Sequence, residues 1–201
     1  MKLIFISGPS GSGKTTLSKQ ILGKIKNGIV LSTDNYYKTG LLSNLLSKFV
    51  RGYFDRSISF NYNLFKKDFK SIVKNRFSIH ERSYNFKKKT IKSFFNEKNN
   101  IDFLIVEGIF AKQFSKTLYN QKIFLIELKT KKSKCMERVL LRDLKERGKG
   151  KKQSKIDFLK SWDIYNNKSI KKSLKENTNK IIILKKTNID FLLKKIFNYQ
   201  S

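Results

Sequence analysis

Apolar residues along this chain follow two periodicities. Short, nearly unbroken apolar runs occupy 2–7, 29–32, 101–107, 122–128 and 180–184. Runs of this kind predict strands buried on both faces, as in a parallel sheet. Between them, apolar residues recur every three or four positions, the spacing of a helix with one buried face. Leu17, Ile21, Leu22 and Ile25 mark one such helix. Leu41, Leu42, Leu45, Leu46, Phe49 and Val50 mark a second, and Leu64, Phe65, Phe69, Ile72 and Val73 a third. Both of these stripes are expected in the core. Residues 130–147 predict another helix, with Val139, Leu140 and Leu144 on one side and Gly148 placed to end it. Lys149-Gly150-Lys151-Lys152 then reads as a mobile basic loop, and Ser154 to Asp157 fits a capping box opening a further helix. Trp162 and Tyr165 in that helix read as packing residues. A last helix carries Ile189, Leu192, Leu193, Ile196 and Phe197. Strands alternating with helices predict an α/β fold, a parallel sheet with helices on both faces. Ligands on such sheets bind beyond the carboxyl ends of the strands.

Composition narrows the class. The chain has 201 residues, enough for one domain, 1–201, able to bury a sizeable core. There is one cysteine, Cys135, so no intrachain disulfide forms, and its helical apolar neighbours mark it as a core residue. A single Cys and a single His argue against a zinc site. No apolar run approaches the ~20 residues of a membrane span, so no membrane partner is expected and a cytoplasmic location is. The formal net charge is +30. Such charge points to nucleic acid, but the basic residues are spread along the whole chain. Lys, Asn, Ile and Phe abound while Ala and Pro occur once each, as Ala111 and Pro9. Biased composition accounts for this better than a dedicated surface, and leaves nucleic acid as a non-specific, salt-dependent ligand.

The chemistry begins at Gly8-Pro9-Ser10-Gly11-Ser12-Gly13-Lys14-Thr15-Thr16. This run has the phosphate-binding spacing G-x-x-x-x-G-K-[ST], between a predicted strand and a predicted helix. Glycines let the backbone turn its N–H groups toward phosphate oxygens. Lys14 reaches the outer phosphates, the Thr15 hydroxyl suits Mg²⁺, and the helix N-terminus favours the anion. A P-loop NTPase-type sheet binding ATP or another nucleoside triphosphate follows. Two carboxylates stand beyond other strand ends. Asp34, in Ser32-Thr33-Asp34-Asn35-Tyr36-Tyr37, is placed to accept a proton from a hydroxyl attacking the γ-phosphate. Glu107, in Val106-Glu107-Gly108, suits a Mg²⁺-associated carboxylate. Arg142 and Arg147 lie five apart, off one helical stripe, yet near a helix end they can converge on phosphate oxygens. Solvated surface would explain them equally.

Four segments together resemble the uridine kinases, within the phosphoribulokinase/uridine kinase group: G-P-S-G-S-G-K-T-T, S-T-D-N-Y-Y-K (32–38), V-E-G-I-F (106–110) and R-D-L-K-E-R-G-K (142–149). Weaker echoes are Y-F-D-R-S-I-S-F-N (53–61) and Y-N-F (84–86). That family phosphorylates the 5′-hydroxyl of uridine or cytidine. The resemblance implies that Asp34 is the base and Glu107 the acidic partner of Mg²⁺. It places Asp55 against the ribose hydroxyls and Tyr84 at the base, although a helix-cap acid and a packed aromatic would read the same. It also implies a small basic lid over about 138–153, with Arg142, Arg147 and Lys149 on the phosphates. Uridine kinases are often oligomeric, so a homo-oligomer is an expected partner, although periodicity marks no interface.

The chain departs from the family pattern where the base would be read. Asn85 stands for an Asp, Lys89 for a His, Ile91 for an Arg, and Val139 for a further Arg. Arg82, Lys89 and Arg138 are the candidates to replace them. Other small hydroxylated acceptors therefore stay open: another nucleoside, a pantothenate-like acid or a sugar phosphate. So does an NTP-binding protein associated with nucleic acid.

Overall fold

The computed structural model describes residues 1–50, 52–115, 121–166, 180–184 and 188–199. Five strands form one parallel sheet: β1 (Lys2–Ser7), β2 (Gly28–Ser32), β5 (Phe103–Glu107), β6 (Ile123–Leu128) and β7 (Lys180–Leu184), in the order β2-β5-β1-β6-β7. These are the five predicted strands, with ends shifted by a residue or two. Side chains alternate across the sheet. Leu3 and Phe5 of β1 face one core, with Leu104, Val106, Ile123 and Leu125. Ile4 and Ile6 face the other, with Ile105, Phe124 and Ile126.

Helices cover both faces, as the alternation of elements predicts. Helices α1 (Lys14–Leu22) and α7 (Ile189–Tyr199) seal the second core through Leu17, Ile21, Leu192 and Ile196. Helices α3 (Tyr62–Asn75) and α4 (Ala111–Ser115) seal the first through Phe65, Phe69, Ile72 and Phe114. No helix among the described residues is long and apolar enough to cross a membrane.

Four local expectations are corrected. The Leu41–Phe49 helix, α2, does not bury its apolar stripe: Leu41 is 90% exposed, and Leu42, Leu45 and Phe49 are also exposed. It packs instead by its small polar side, where buried Ser43 donates to the Lys38 carbonyl at 2.8 Å. In α5 (Lys132–Glu146), Cys135 and Val139 are buried against Phe158 of α6 (Lys151–Asn166). The next turn of that line is Asp143, so Leu144, one residue further round, faces solvent. Gly148 does end α5, at φ 64°. Lys151 and Lys152 belong to α6 rather than to a loop. The capping box is also displaced, since α6 starts three residues before Ser154, whose buried hydroxyl has no partner.

The pattern of apolar residues also missed an antiparallel hairpin, β3 (Ser78–Asn85) with β4 (Thr90–Lys98). It stands apart from the main sheet. Arg82 fastens it to α3 through a bidentate pair with Asp68, at 2.6 and 3.2 Å. Asp68 also accepts from Tyr36, in the turn Thr33–Tyr36 that follows β2.

Candidate functional site

The phosphate loop links β1 to α1 at the carboxyl end of the sheet. Gly11 has φ 77°, a conformation that disfavours any side chain. A Cβ there would also collide with the Cys135 backbone carbonyl, so α5 forms the floor of the loop. Arg138 reinforces this contact by donating to the Gly11 carbonyl at 3.1 Å. Thr130, just before α5, donates to the Ser12 carbonyl at 3.1 Å. Lys14 is buried, and its ammonium donates to the Pro9 carbonyl at 3.0 Å. Burial pulls its pKa down, while the Glu107 and Asp34 carboxylates oppose that shift.

Parallel pairing of β2 with β5 places Ser32 beside Glu107. Asp34 follows in the next turn, so both carboxylates stand beside the loop. Glu107 is only 4% exposed, and Thr15 donates to its Oε1 at 3.5 Å. Burial and the charge of Asp34 raise its pKa. The chain turns sharply after Glu107: Gly108 has φ 146°, and a Cβ there would overlap Thr33. The Tyr37 hydroxyl donates to Asp34 at 3.5 Å.

Arg142 and Arg147 converge although they lie off one stripe. Both turn onto Oδ1 of Asp143, Arg142 at 2.8 Å and Arg147 at 3.6 Å. Asp143 is 2% exposed. Arg147 also lies over the Phe86 ring, 3.7 Å from its centroid, and so reaches the hairpin. Lys149 pairs with Asp157 of α6 at 3.0 Å.

On the far side of Asp34 lies an aromatic slot. Tyr37 meets Phe54 and Tyr84 edge-on, at centroid distances of 5.4 and 5.2 Å. Phe86 closes on Tyr84 at 5.0 Å. Asp55 opens toward the same space and accepts from Ser161 of α6 at 2.6 Å. Burial pushes the Asp55 pKa up to about 6, partly offset by Ser161. The Tyr84 hydroxyl is buried without a partner, and its backbone N–H donates to Asn35 Oδ1, next to Asp34.

The charged groups and the aromatic rings described above line one cleft of about 2030 Å³. Ser10, Gly11, Ser12, Gly13, Lys14, Thr15, Thr16, Asp34, Asp55, Tyr84, Glu107, Arg142 and Arg147 all contribute to its wall. Gly8 sits under the loop, against Leu128. Sequence reasoning missed Tyr37, Phe54, Phe86 and Asp143, and did not separate its three candidate readers. Their signals were present but weak: aromatics beside Asp34 and Asp55, and an acid next to Arg142. Chemically, the cleft offers an anion cradle, a carboxylate beside it and a wall of edge-on aromatic rings beyond.

Its donors also suit a hard divalent cation. The Thr15 hydroxyl and Glu107 carboxylate are oxygen ligands within reach of one ion. No group of three or more His, Cys, Asp or Glu converges among the described residues. The remaining ligands would be water and phosphate oxygens, as is usual for Mg²⁺.

Comparison with known proteins gives this geometry its family. The model of the phosphoribulokinase/uridine kinase family matches residues 3–188. A uridine kinase from Ureaplasma parvum is 32% identical over 152 residues, 73% of this chain and 71% of that protein. One from Borrelia hermsii is 34% identical over 151 residues, 74% and 70% of the two chains. In fold, a D-glycerate 3-kinase from Cryptococcus neoformans superposes with a TM-score of 0.64 at 14% identity, covering 94% of this chain and 86% of that one. The chain belongs to the phosphoribulokinase/uridine kinase family and is an ATP-dependent small-molecule kinase.

Proposed function

We propose that the protein transfers the γ-phosphoryl group of ATP to the 5′-hydroxyl of a pyrimidine nucleoside, uridine or cytidine. One observation carries the reading: Asp34 lies between the phosphate loop and a slot that offers both an aromatic wall and a second carboxylate, Asp55. The relatives named uridine kinase support the same acceptor.

In this reading the acceptor's hydroxyl oxygen attacks the γ-phosphorus in line. Asp34 takes the hydroxyl proton as the new O–P bond forms. The bond from γ-phosphorus to the bridging oxygen breaks, and its electron pair leaves with ADP. Lys14 exchanges the Pro9 carbonyl for phosphate oxygens, and the loop N–H groups hold the charge that develops. Mg²⁺, held by Thr15 and Glu107, would offset charge on the phosphates. Asp55 accepts from the ribose hydroxyls, and Tyr84 packs along the base. The chain acts as one kinase domain, 1–201, whose segment 138–153 is a lid. Arg142 and Arg147 swing from Asp143 to the phosphates as the lid closes and excludes water.

The test is Mg²⁺-dependent ADP release across uridine, cytidine, other nucleosides, pantothenate and sugar phosphates, with Lys14→Ala as the blank. Stimulation by uridine or cytidine is expected. Stimulation only by a different acceptor would overturn the nucleoside assignment while leaving the phosphoryl-transfer chemistry.

A further inference from the structure

The acceptor end of the cleft borrows one of its parts from α6. Ser161, in the second half of that helix, is buried, and its hydroxyl donates to Asp55 Oδ1 at 2.6 Å. That length is typical of a hydroxyl bonded to an ionised carboxylate. A serine inside a helix can return its hydrogen to the carbonyl one turn back. Ser161 gives it instead to a residue 106 positions away.

The same face of α6 meets the Asp55 turn a second time. Asp55 ends the turn Tyr53–Asp55, and Gly52 precedes it at φ 65°. A Cβ on Gly52 would collide with the Ile164 side chain. Ser161 and Ile164 lie three apart, so they share one face of the helix. One turn before Ser161, Phe158 packs with Cys135 and Val139 of α5, the helix that floors the phosphate loop. One turn after it, the Tyr165 and Ser7 hydroxyls meet at 3.5 Å, at the end of β1. Asp55 is therefore held from a helix anchored to the frame of the phosphate loop, and not by its own short turn alone.

A purely structural acid would have both oxygens satisfied. An ionised carboxylate offers about four acceptor positions. Among the described residues, the Asp55 side chain takes one hydrogen bond, from Ser161, and makes no ion pair. Asp55 and Ser161 both line the cleft. The charged and titratable groups bearing on Asp55 are Asp34, Tyr37, Asp157 and Lys149. Burial, Asp34 and Asp157 raise its pKa, while the Ser161 bond and Lys149 oppose them. One bond to one oxygen fixes the rotation of a carboxylate, and so fixes where the other oxygen points.

We infer that Ser161 is a positioning residue for the acceptor: by holding Asp55 Oδ1 it leaves Oδ2 turned to the acceptor's hydroxyls. The inference rests on the nucleoside reading above and deepens it. Ser161 touches no reacting atom and acts only through Asp55.

The test is a double-mutant cycle on kcat/KM for uridine in the full-length protein: Ser161→Ala, Asp55→Ala and the two together, with Ser161→Thr alongside. Melting temperatures check that each variant folds. Ser161→Ala should lower kcat/KM by about tenfold or more, the scale of one hydrogen bond to a charged group. The loss should fall on the KM for uridine, with the KM for ATP within about twofold of the parent. In the Asp55→Ala background the same change should cost less than about twofold, since the carboxylate it acts through is gone. Ser161→Thr keeps the hydroxyl and should recover most of the loss. The acid limb of the uridine pH profile should move to higher pH in Ser161→Ala, because the lost bond favoured the charged form of Asp55. An equal loss in both backgrounds with an unmoved acid limb would mean that Ser161 serves only helix packing. That result would overturn the inference and leave nucleoside phosphorylation standing. Turnover with no nucleoside at all, while another acceptor works, would overturn the nucleoside reading and this inference with it.

Discussion

Replacing Asp34 by asparagine tests the centre of the mechanism with little disturbance of shape. The amide oxygen of the new side chain can still accept the Tyr37 hydroxyl bond, now 3.5 Å long, so the turn after β2 keeps its packing. What is lost is a proton acceptor and one negative charge. General-base assistance is worth about 10²–10⁴ in rate, or about 3–5 kcal/mol of barrier. The lost charge has its own signature. Asp34 raises the pKa of both Glu107 and Asp55. Its removal lowers both, so the acid limb of the uridine pH profile should move to lower pH. ATP affinity, read by calorimetry, should stay within a few-fold, since Lys14 and the loop N–H groups are untouched. The assay is coupled ADP release under saturating uridine, with a pH series of kcat/KM. A kcat within about threefold of the parent would refute the argument, because no base acting at the expected scale could have been removed.

Three further outcomes follow from the same geometry. Asp55 is raised from 3.8 to about 6, so the folded protein holds its proton more tightly than the unfolded chain. Its contribution to stability is therefore full below about pH 4 and falls as pH rises through about 6; Asp55→Asn should remove that slope from urea titrations and weaken uridine binding. Gly11→Ala places a methyl group against the Cys135 carbonyl at φ 77°. ATP affinity should drop by about tenfold or more, about 1.4 kcal/mol, and an unchanged calorimetric Kd would show the loop tolerates the side chain. Asp143→Asn leaves Arg142 and Arg147 side by side without their shared anion. A cost of about 2 kcal/mol would lower Tm by about 4–8 °C, and scanning calorimetry showing no change would mean that Asp143 does not hold the pair.

The layered core was legible because its signals are local. Five short apolar runs between helical stripes leave few ways to bury both strand faces, and a parallel sheet is the simplest. The α2 stripe shows where that logic stops. Leu41, Leu42, Leu45 and Phe49 have the spacing of a buried face, but the chain follows the turn at Tyr53–Asp55 and docks the helix by Ser43. Periodicity gives a helix its two faces without saying which one its neighbours can reach. The β3–β4 hairpin was missed for the opposite reason. Most of both strands is exposed, so neither apolar alternation nor a continuous apolar run marks them.

The same contrast divides the cleft. Its phosphate end is written in nearly contiguous residues, 8–16, because a helix N-terminus and a glycine turn are local devices. Asp34 and Glu107 add to it from the adjacent strand ends, which any parallel sheet with this order would bring together. The acceptor end has no such economy. It is assembled from the turn after β2, the segment around Phe54 and Asp55, the hairpin, α2 and Ser161 of α6. Lys89, at the same end, follows a hairpin tip folded by Asn85 and takes a left-handed backbone angle that the sequence does not announce. Donor chemistry in such a kinase is thus carried by motif, and acceptor choice by tertiary contacts. That division explains how a chain can keep the phosphate-handling residues its resemblance implies while departing from the family pattern at Asn85, Lys89, Ile91 and Val139.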